Sequence, residues 1–134
     1  MAVRELVGRF YDELWNKVRL ESAGEILHPS VSFRGSVGQG ASGPQEVCGY
    51  VTMVTRALST YRCDVIELVV DGERAAAKVR FSGVHEGIFL GFPPTGRAVE
   101  WVGAAFFSAD EGLLRNIWVL GDLDSLRVQL GSGS

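Results

Sequence analysis

Apolar positions in the first eighteen residues recur at helical spacing. Val3, Leu6, Val7, Phe10, Tyr11, Leu14, Trp15 and Val18 fall at steps of three and four, which gathers them on one broad face and predicts a long first helix over 3–18. A second, short helix is expected from Ser22 to Leu27, because Ser22 followed by Glu25 has the spacing of a capping box. His28-Pro29 ends it. Val31-Ser32-Phe33-Arg34 then alternates as a strand. The stretch GSVGQGASGP, 35–44, holds four glycines and a proline without any period and reads as a loop. Helical spacing returns over 45–58 through Val47, Tyr50, Val51, Val54 and Leu58.

Beyond residue 60 the period changes to two. The runs 61–70 and 74–85 flank Asp71-Gly72-Glu73, an Asp-Gly connection of the kind that closes a β-hairpin. A second pair, 99–108 and 113–121, surrounds Ala109-Asp110-Glu111-Gly112, and a closing segment runs from Leu123 to Leu130. Helices followed by long antiparallel strands imply an α+β fold with the helices laid on one sheet face. A curved antiparallel sheet closed by N-terminal helices makes a cone, whose interior is filled by side chains or by a ligand. Trp101, Gly103, Ala105 and Phe107 share one face. The small residues Gly103 and Ala105 are expected either to border a pocket or to take a bulky neighbour.

Composition narrows the classes of function. A chain of 134 residues is one domain, taken here as 1–130, followed by a Gly-Ser tail over 131–134 expected to be flexible. A net charge of −3 argues against a nucleic-acid partner. No apolar run approaches the roughly 20 residues of a membrane span, and the start, MAVRELVGRF, lacks a signal-peptide core. A cytoplasmic protein is expected. Cys48 and Cys63 lack metal-ligand spacing and read as reduced thiols. No metal and no cofactor are expected.

Three stretches carry a resemblance. VHEGIFLGFPPTGRAV, then IWVLGDLDSLRVQLG, and at the start FYDELWNKVRLESAGEILHPSVSFRG are together similar to the SnoaL-like polyketide cyclase family, with Pro-Pro-Thr-Gly-Arg the most specific element. The resemblance covers nearly the whole chain. It implies the cone-shaped, cystatin-like α+β barrel of the nuclear transport factor 2-like superfamily, a homodimer or homotetramer, and a small hydrophobic polyketide-like substrate. It also implies cofactor-free acid–base chemistry, in which a positioned group removes a proton from carbon between carbonyls. The family's Asp on the last strand falls at Val119 and its His on the neighbouring strand at Ala105. The ketosteroid isomerase base would fall near Phe33, and the Arg-x-Asp pattern of limonene epoxide hydrolase is absent. The altered positions favour a variant reaction, such as an isomerisation, a dehydration or an epoxide opening; a non-catalytic ligand-binding or dimerisation domain is the alternative.

The candidates for chemistry follow from that frame. Asp122 either reaches the open end of the cone as acid or base or caps the closing segment. His85 is either its proton-shuttling partner or a structural imidazole bonded to a loop. His28 is expected to fix the corner before Pro29, Glu86 and Glu100 to be edge charges, and Arg34 and Arg80 to hold an oxyanion or face solvent. Trp15, Phe33, Tyr50, Phe81, Trp101 and Trp118 are expected as walls. Phe89, Leu90 and Phe92, stiffened by Pro93-Pro94, are expected to form an apolar lid or a subunit contact.

Overall fold

In the computed structural model, which describes residues 1–131, one six-stranded sheet is packed against four α-helices. The strands are β1 (Leu27–Arg34), β2 (Gly40–Ser42), β3 (Leu58–Asp71), β4 (Arg74–His85), β5 (Ala98–Asp110) and β6 (Leu113–Gly121). They lie in the order β2-β1-β6-β5-β4-β3. Both expected hairpins form. Gly72 turns the first at φ +61°, and Glu111 and Gly112, at +54° and +75°, turn the second as a type I′ pair.

Two expectations about the sheet are corrected. It is mixed, because β1 pairs with β6 in parallel while all other pairs are antiparallel. Local alternation specifies a strand's face but not its neighbour, and this pair meets across most of the chain. The sheet is also open: β2 and β3 are its two edges and do not pair with each other.

The helices differ in detail from the periodicity. α1 (Val3–Arg9) runs directly into a π-helical turn, Phe10–Trp15, and helical structure stops there instead of at residue 18. The wider turn lets Phe10, Tyr11, Leu14 and Trp15 all point inwards. Val18 instead adopts φ +49° and is exposed. The expected capping box does not form, because Ser22 has helical backbone angles and cannot sit as an N-cap. Its hydroxyl donates to Glu13 (3.0 Å), and Glu25 pairs with Arg9 instead (3.0 Å). A 3-10 turn, Leu20–Ser22, leads into α2 (Ala23–Ile26). α3 (Gly43–Ala57) begins with Pro44 in its first turn, where a missing N–H costs nothing. α4 (Leu123–Gly131) includes Gly131, so the tail is helical at its first residue, and 132–134 lie outside the described residues.

Period-2 burial along β4 and β5 defines an inner face under the helices, with Ala75 through His85 and Val99 through Phe107 alternating inwards. Of the two alternatives open at Gly103, the bulky neighbour is the one found. A Cβ there would lie 2.7 Å from the Leu120 carbonyl oxygen and 2.9 Å from the Phe81 ring, so the missing side chain is where Phe81 packs. The outer face keeps a continuous apolar row, Val69, Ala76, Phe106 and Trp118 in register across β3, β4, β5 and β6, with Leu120 beside it. Phe106 and Trp118 are 53% and 43% exposed.

Candidate active site

Between helices and inner face lies an aromatic cavity. The π-turn contributes Phe10, Tyr11 and Trp15; β1 adds Phe33; Ser36 follows β1; Tyr50 comes from α3, Tyr61 from β3, Phe81 from β4 and Val119 from β6. About 10 Å³ remains for the centre of a water molecule, room for roughly one water. The rings hold each other edge-on: Trp15 and Tyr50 at 5.8 Å between centroids, Phe33 and Tyr50 at 5.1 Å.

Its polar groups are neutral donors. The Tyr11 hydroxyl is buried without a hydrogen-bond partner. The Tyr50 hydroxyl accepts the Val37 N–H at 3.2 Å. Burial pushes the Tyr11 and Tyr61 phenols well above their ordinary value and raises that of Tyr50, so all three stay protonated at neutral pH. Burial likewise raises the Cys63 thiol. The Trp101 ring stands behind this wall, 5.3 Å from Phe81 and 6.2 Å from Tyr61, and its buried Nε1–H also has no partner. Among the described residues no carboxylate lines the cavity.

Of the residues expected as walls, Trp15, Phe33, Tyr50 and Phe81 line the cavity. Trp118 does not: Ile117 and Val119 point inwards, so the residue between them points out, where the Arg34 guanidinium lies 5.4 Å from its ring. Phe89 and Phe92 bridge each other across the Leu90-Gly91 turn, and Phe89 is buried against Trp101 (6.4 Å). Phe92 is half-buried beside Gly131. Phe89 of the expected lid is therefore folded into the core, Leu90 and Phe92 are half-buried, and Ile88, Pro93 and Pro94 are exposed.

The two residues expected to do acid–base chemistry are not brought together. Asp122 is exposed, and its carboxylate accepts the Ser125 N–H (3.1 Å) as the cap of α4. His85 is fully buried; its Nδ1 accepts the Thr95 N–H (3.3 Å) and lies 3.1 Å from the Thr95 hydroxyl, while Nε2 is buried without a partner. The backbone closes the same clamp, with His85 N–H on the Arg97 carbonyl and Gly96 N–H on the His85 carbonyl. Arg97 extends it to α4 by donating to the Gln129 carbonyl (3.2 Å). Pro-Pro-Thr-Gly-Arg is thus a structural tie between β4 and α4.

Arg34 donates to the Val119 carbonyl, Arg80 faces solvent, and Glu86 and Glu100 are exposed. Among the described residues one group with metal-ligand atoms converges, His28, Asp110 and Glu111. The Ser30 N–H donates to His28 Nδ1, which places the imidazole proton on Nε2, facing Glu111 at 3.3 Å as a donor and not as a ligand. Sequence reasoning missed Tyr11 and Tyr61 as site residues. Their signal was a phenol among purely apolar face positions, and it was absorbed into the core.

An open mixed sheet, helices on its inner face and a small aromatic cavity between them define an α+β protein with an enclosed aromatic interior. The family model for SnoaL-like polyketide cyclases matches residues 5–130, and the chain belongs to that family. Among solved structures it is similar to TsrD from Streptomyces laurentii, at 25% identity and TM-score 0.85, with 97% of this chain and 95% of that one covered. A SnoaL-like polyketide cyclase from Agrobacterium tumefaciens superposes at TM-score 0.81 and 20% identity, over 98% and 99% of the two chains. A Catenulispora acidiphila protein of ketosteroid isomerase-like fold superposes at 0.80 and 12%, over 95% and 92%. No curated protein matches in sequence. No helix among the described residues is long and apolar enough to cross a membrane.

Proposed function

We propose that the cavity receives an uncharged, hydrophobic, oxygenated molecule of the polyketide class and acts on it without a cofactor by polarising a carbonyl. One observation carries this reading: Tyr11 Oη and Trp101 Nε1 are buried donors without partners. A donor left unpaired costs on the order of 1–3 kcal/mol, and an acceptor oxygen on a ligand would recover it. Neutral phenols held protonated by burial are suited to stabilising charge that develops on a carbonyl oxygen. A carbon acid between two carbonyls, already acidified, would then lose its proton to water or to the substrate's own basic group, leading to ring closure, isomerisation or dehydration. Asp122 and His85 act in this reading by holding α4 and the 87–97 loop.

The second reading is a non-catalytic binder of such molecules. It is favoured by Val119 and Ala105, which are carbon-only at the positions where the family resemblance implied Asp and His. Incubation with a panel of linear and cyclised polyketide β-diketones, with product analysis and titration calorimetry, tests both. Turnover that falls in Tyr11→Phe supports the enzyme; binding without turnover supports the carrier; neither removes the proposal. A homodimer or homotetramer through the outer face is also proposed, on the exposed row around Phe106 and Trp118. The two unpaired cysteines suit the reducing cytoplasm.

A further inference from the structure

The cavity has room for about one water, so a ligand enters only if its wall moves. Exposure locates the weak point. Of the nine lining residues, Tyr61, Ser36 and Tyr50 reach solvent most, at 8%, 7% and 6%. Ser36 and Tyr50 meet at the segment that follows β1. Residues 35–39 close on themselves, with Gly38 N–H on the Gly35 carbonyl (3.0 Å) and Gly35 N–H on the Gln39 carbonyl (2.9 Å), and form a small self-contained unit.

That unit is seated on one side chain. The Val37 N–H donates to Tyr50 Oη at 3.2 Å. Gly35 lies flat on the Tyr50 ring, so close that a Cβ would fall 2.1 Å from Cζ. Beneath the seat is a reason to open it. A Cβ built on Gly121 would lie 2.7 Å from the Ser36 carbonyl oxygen and 3.0 Å from Trp101 Nε1, so the segment covers the same spot as the unpartnered indole N–H.

We propose that residues 35–39 are a gate over the aromatic cavity, held shut by the Tyr50 hydroxyl and opening onto Trp101 Nε1. The inference rests on the reading of the cavity as a ligand site and concerns how that site is reached. The gate swings as a unit because its backbone bonds are internal, and it closes only because residue 35 has no side chain. Release of Tyr50 Oη frees the Val37 N–H and the phenol itself to water, so opening exchanges a hydrogen bond instead of breaking it outright.

Tyr50→Phe tests it without any substrate. Hydrogen exchange at the Val37 amide is expected to accelerate about fivefold, with the β5 amides unchanged. Acrylamide quenching gives a second readout, since Trp118 is exposed while Trp15 and Trp101 are 4% and 2% exposed. The quenchable fraction of the three tryptophans should rise from about one third towards two thirds as Trp101 is uncovered. Unchanged exchange and quenching in a folded variant would overturn the gate. So would acceleration spread equally over Val37 and β5, because Tyr50 would then be supporting the whole core. Neither result touches the ligand-site reading, which falls only if no polyketide β-diketone binds to wild type or to the opened variant.

Discussion

Tyr11→Phe should make the protein more stable and less able to hold its ligand. The hydroxyl is fully buried at the π-turn and makes no hydrogen bond. Its ring is well packed, 5.0 Å from Phe10 and 6.0 Å from Phe107, both edge-on, and Phe keeps those contacts. Removing the orphaned donor recovers about 1–3 kcal/mol of desolvation. Deleting one oxygen beside an existing void of about 10 Å³ costs a few tenths of a kcal/mol at roughly 24 cal/mol per Å³. The net expectation is a gain of about 1–2 kcal/mol.

Equilibrium unfolding in urea measures it directly. With a slope of about 1–3 kcal/mol per molar, the midpoint should move upwards by about half a molar or more while the slope holds. The same substitution removes one donor to a ligand carbonyl, so affinity for a polyketide β-diketone should fall about tenfold, the equivalent of ~1.4 kcal/mol. A variant less stable than wild type by ~0.5 kcal/mol or more would refute the reasoning, since it would mean that a buried water or a neighbour already satisfies the hydroxyl. Stability gained with affinity unchanged would show that the orphan is not kept for the ligand.

Three further expectations follow from other parts of the structure. The Asn16 side chain pairs with both backbone groups of buried Cys63, donating to its carbonyl (2.9 Å) and accepting its N–H (2.8 Å); Asn16→Ala orphans both and should cost about 2–4 kcal/mol by urea unfolding, and a loss under ~1 kcal/mol would sink the assignment. Burial holds Cys63 and the three tyrosines protonated in the fold above their ordinary values, so the unfolded chain loses these protons first as pH rises. Their contribution is complete at neutral pH and should decline from about pH 9 for Cys63 and about pH 10 for the phenols, at up to ~1.4 kcal/mol per pH unit for each group; a melting temperature flat from pH 7 to 11 would contradict it. Phe106→Lys on the outer face should convert a dimer or tetramer to a monomer in sedimentation velocity with little change in unfolding midpoint, and a monomeric wild type at tens of micromolar would remove the proposed interface.

Much of the fold was legible because β4 and most of β5 keep a period of two and the hairpin turns carry Gly72 and Gly112. The same rule, applied to β6, places Trp118 opposite Ile117 and Val119, so its outward position was readable once that strand was phased. Other features were not in the local pattern. The π-turn differs from an α-helix by one residue per turn, too little for eight apolar positions to register, yet it aims Tyr11 and Trp15 together into the cavity. The parallel β1–β6 pair and the seat of residues 35–39 on Tyr50 depend on contacts between distant segments. At Gly103 the sequence left two readings open for a physical reason: a small residue leaves space only if its neighbour fails to take it, and Phe81 takes it.

The loudest motif and the site part company. Pro-Pro-Thr-Gly-Arg, which carries the family resemblance, ties His85 to Thr95 and α4 to Arg97 and contributes nothing to the cavity wall. What the wall can do is decided by quieter positions, above all Val119, 3% exposed and facing the tyrosines. A carboxylate at 119 would sit among protonated phenols and accept from them, which would give the cavity a base and satisfy its donors at once. With valine there, the Tyr11 phenol and the Trp101 indole N–H are left without an acceptor from the protein. In the proposed reading the same scaffold then changes from one that removes a proton to one that draws electron density towards a carbonyl oxygen. In that reading the base arrives with the substrate or as water and the ligand is neutral, because a buried anion would meet no cation in a wall made of phenols, hydroxyl and carbon.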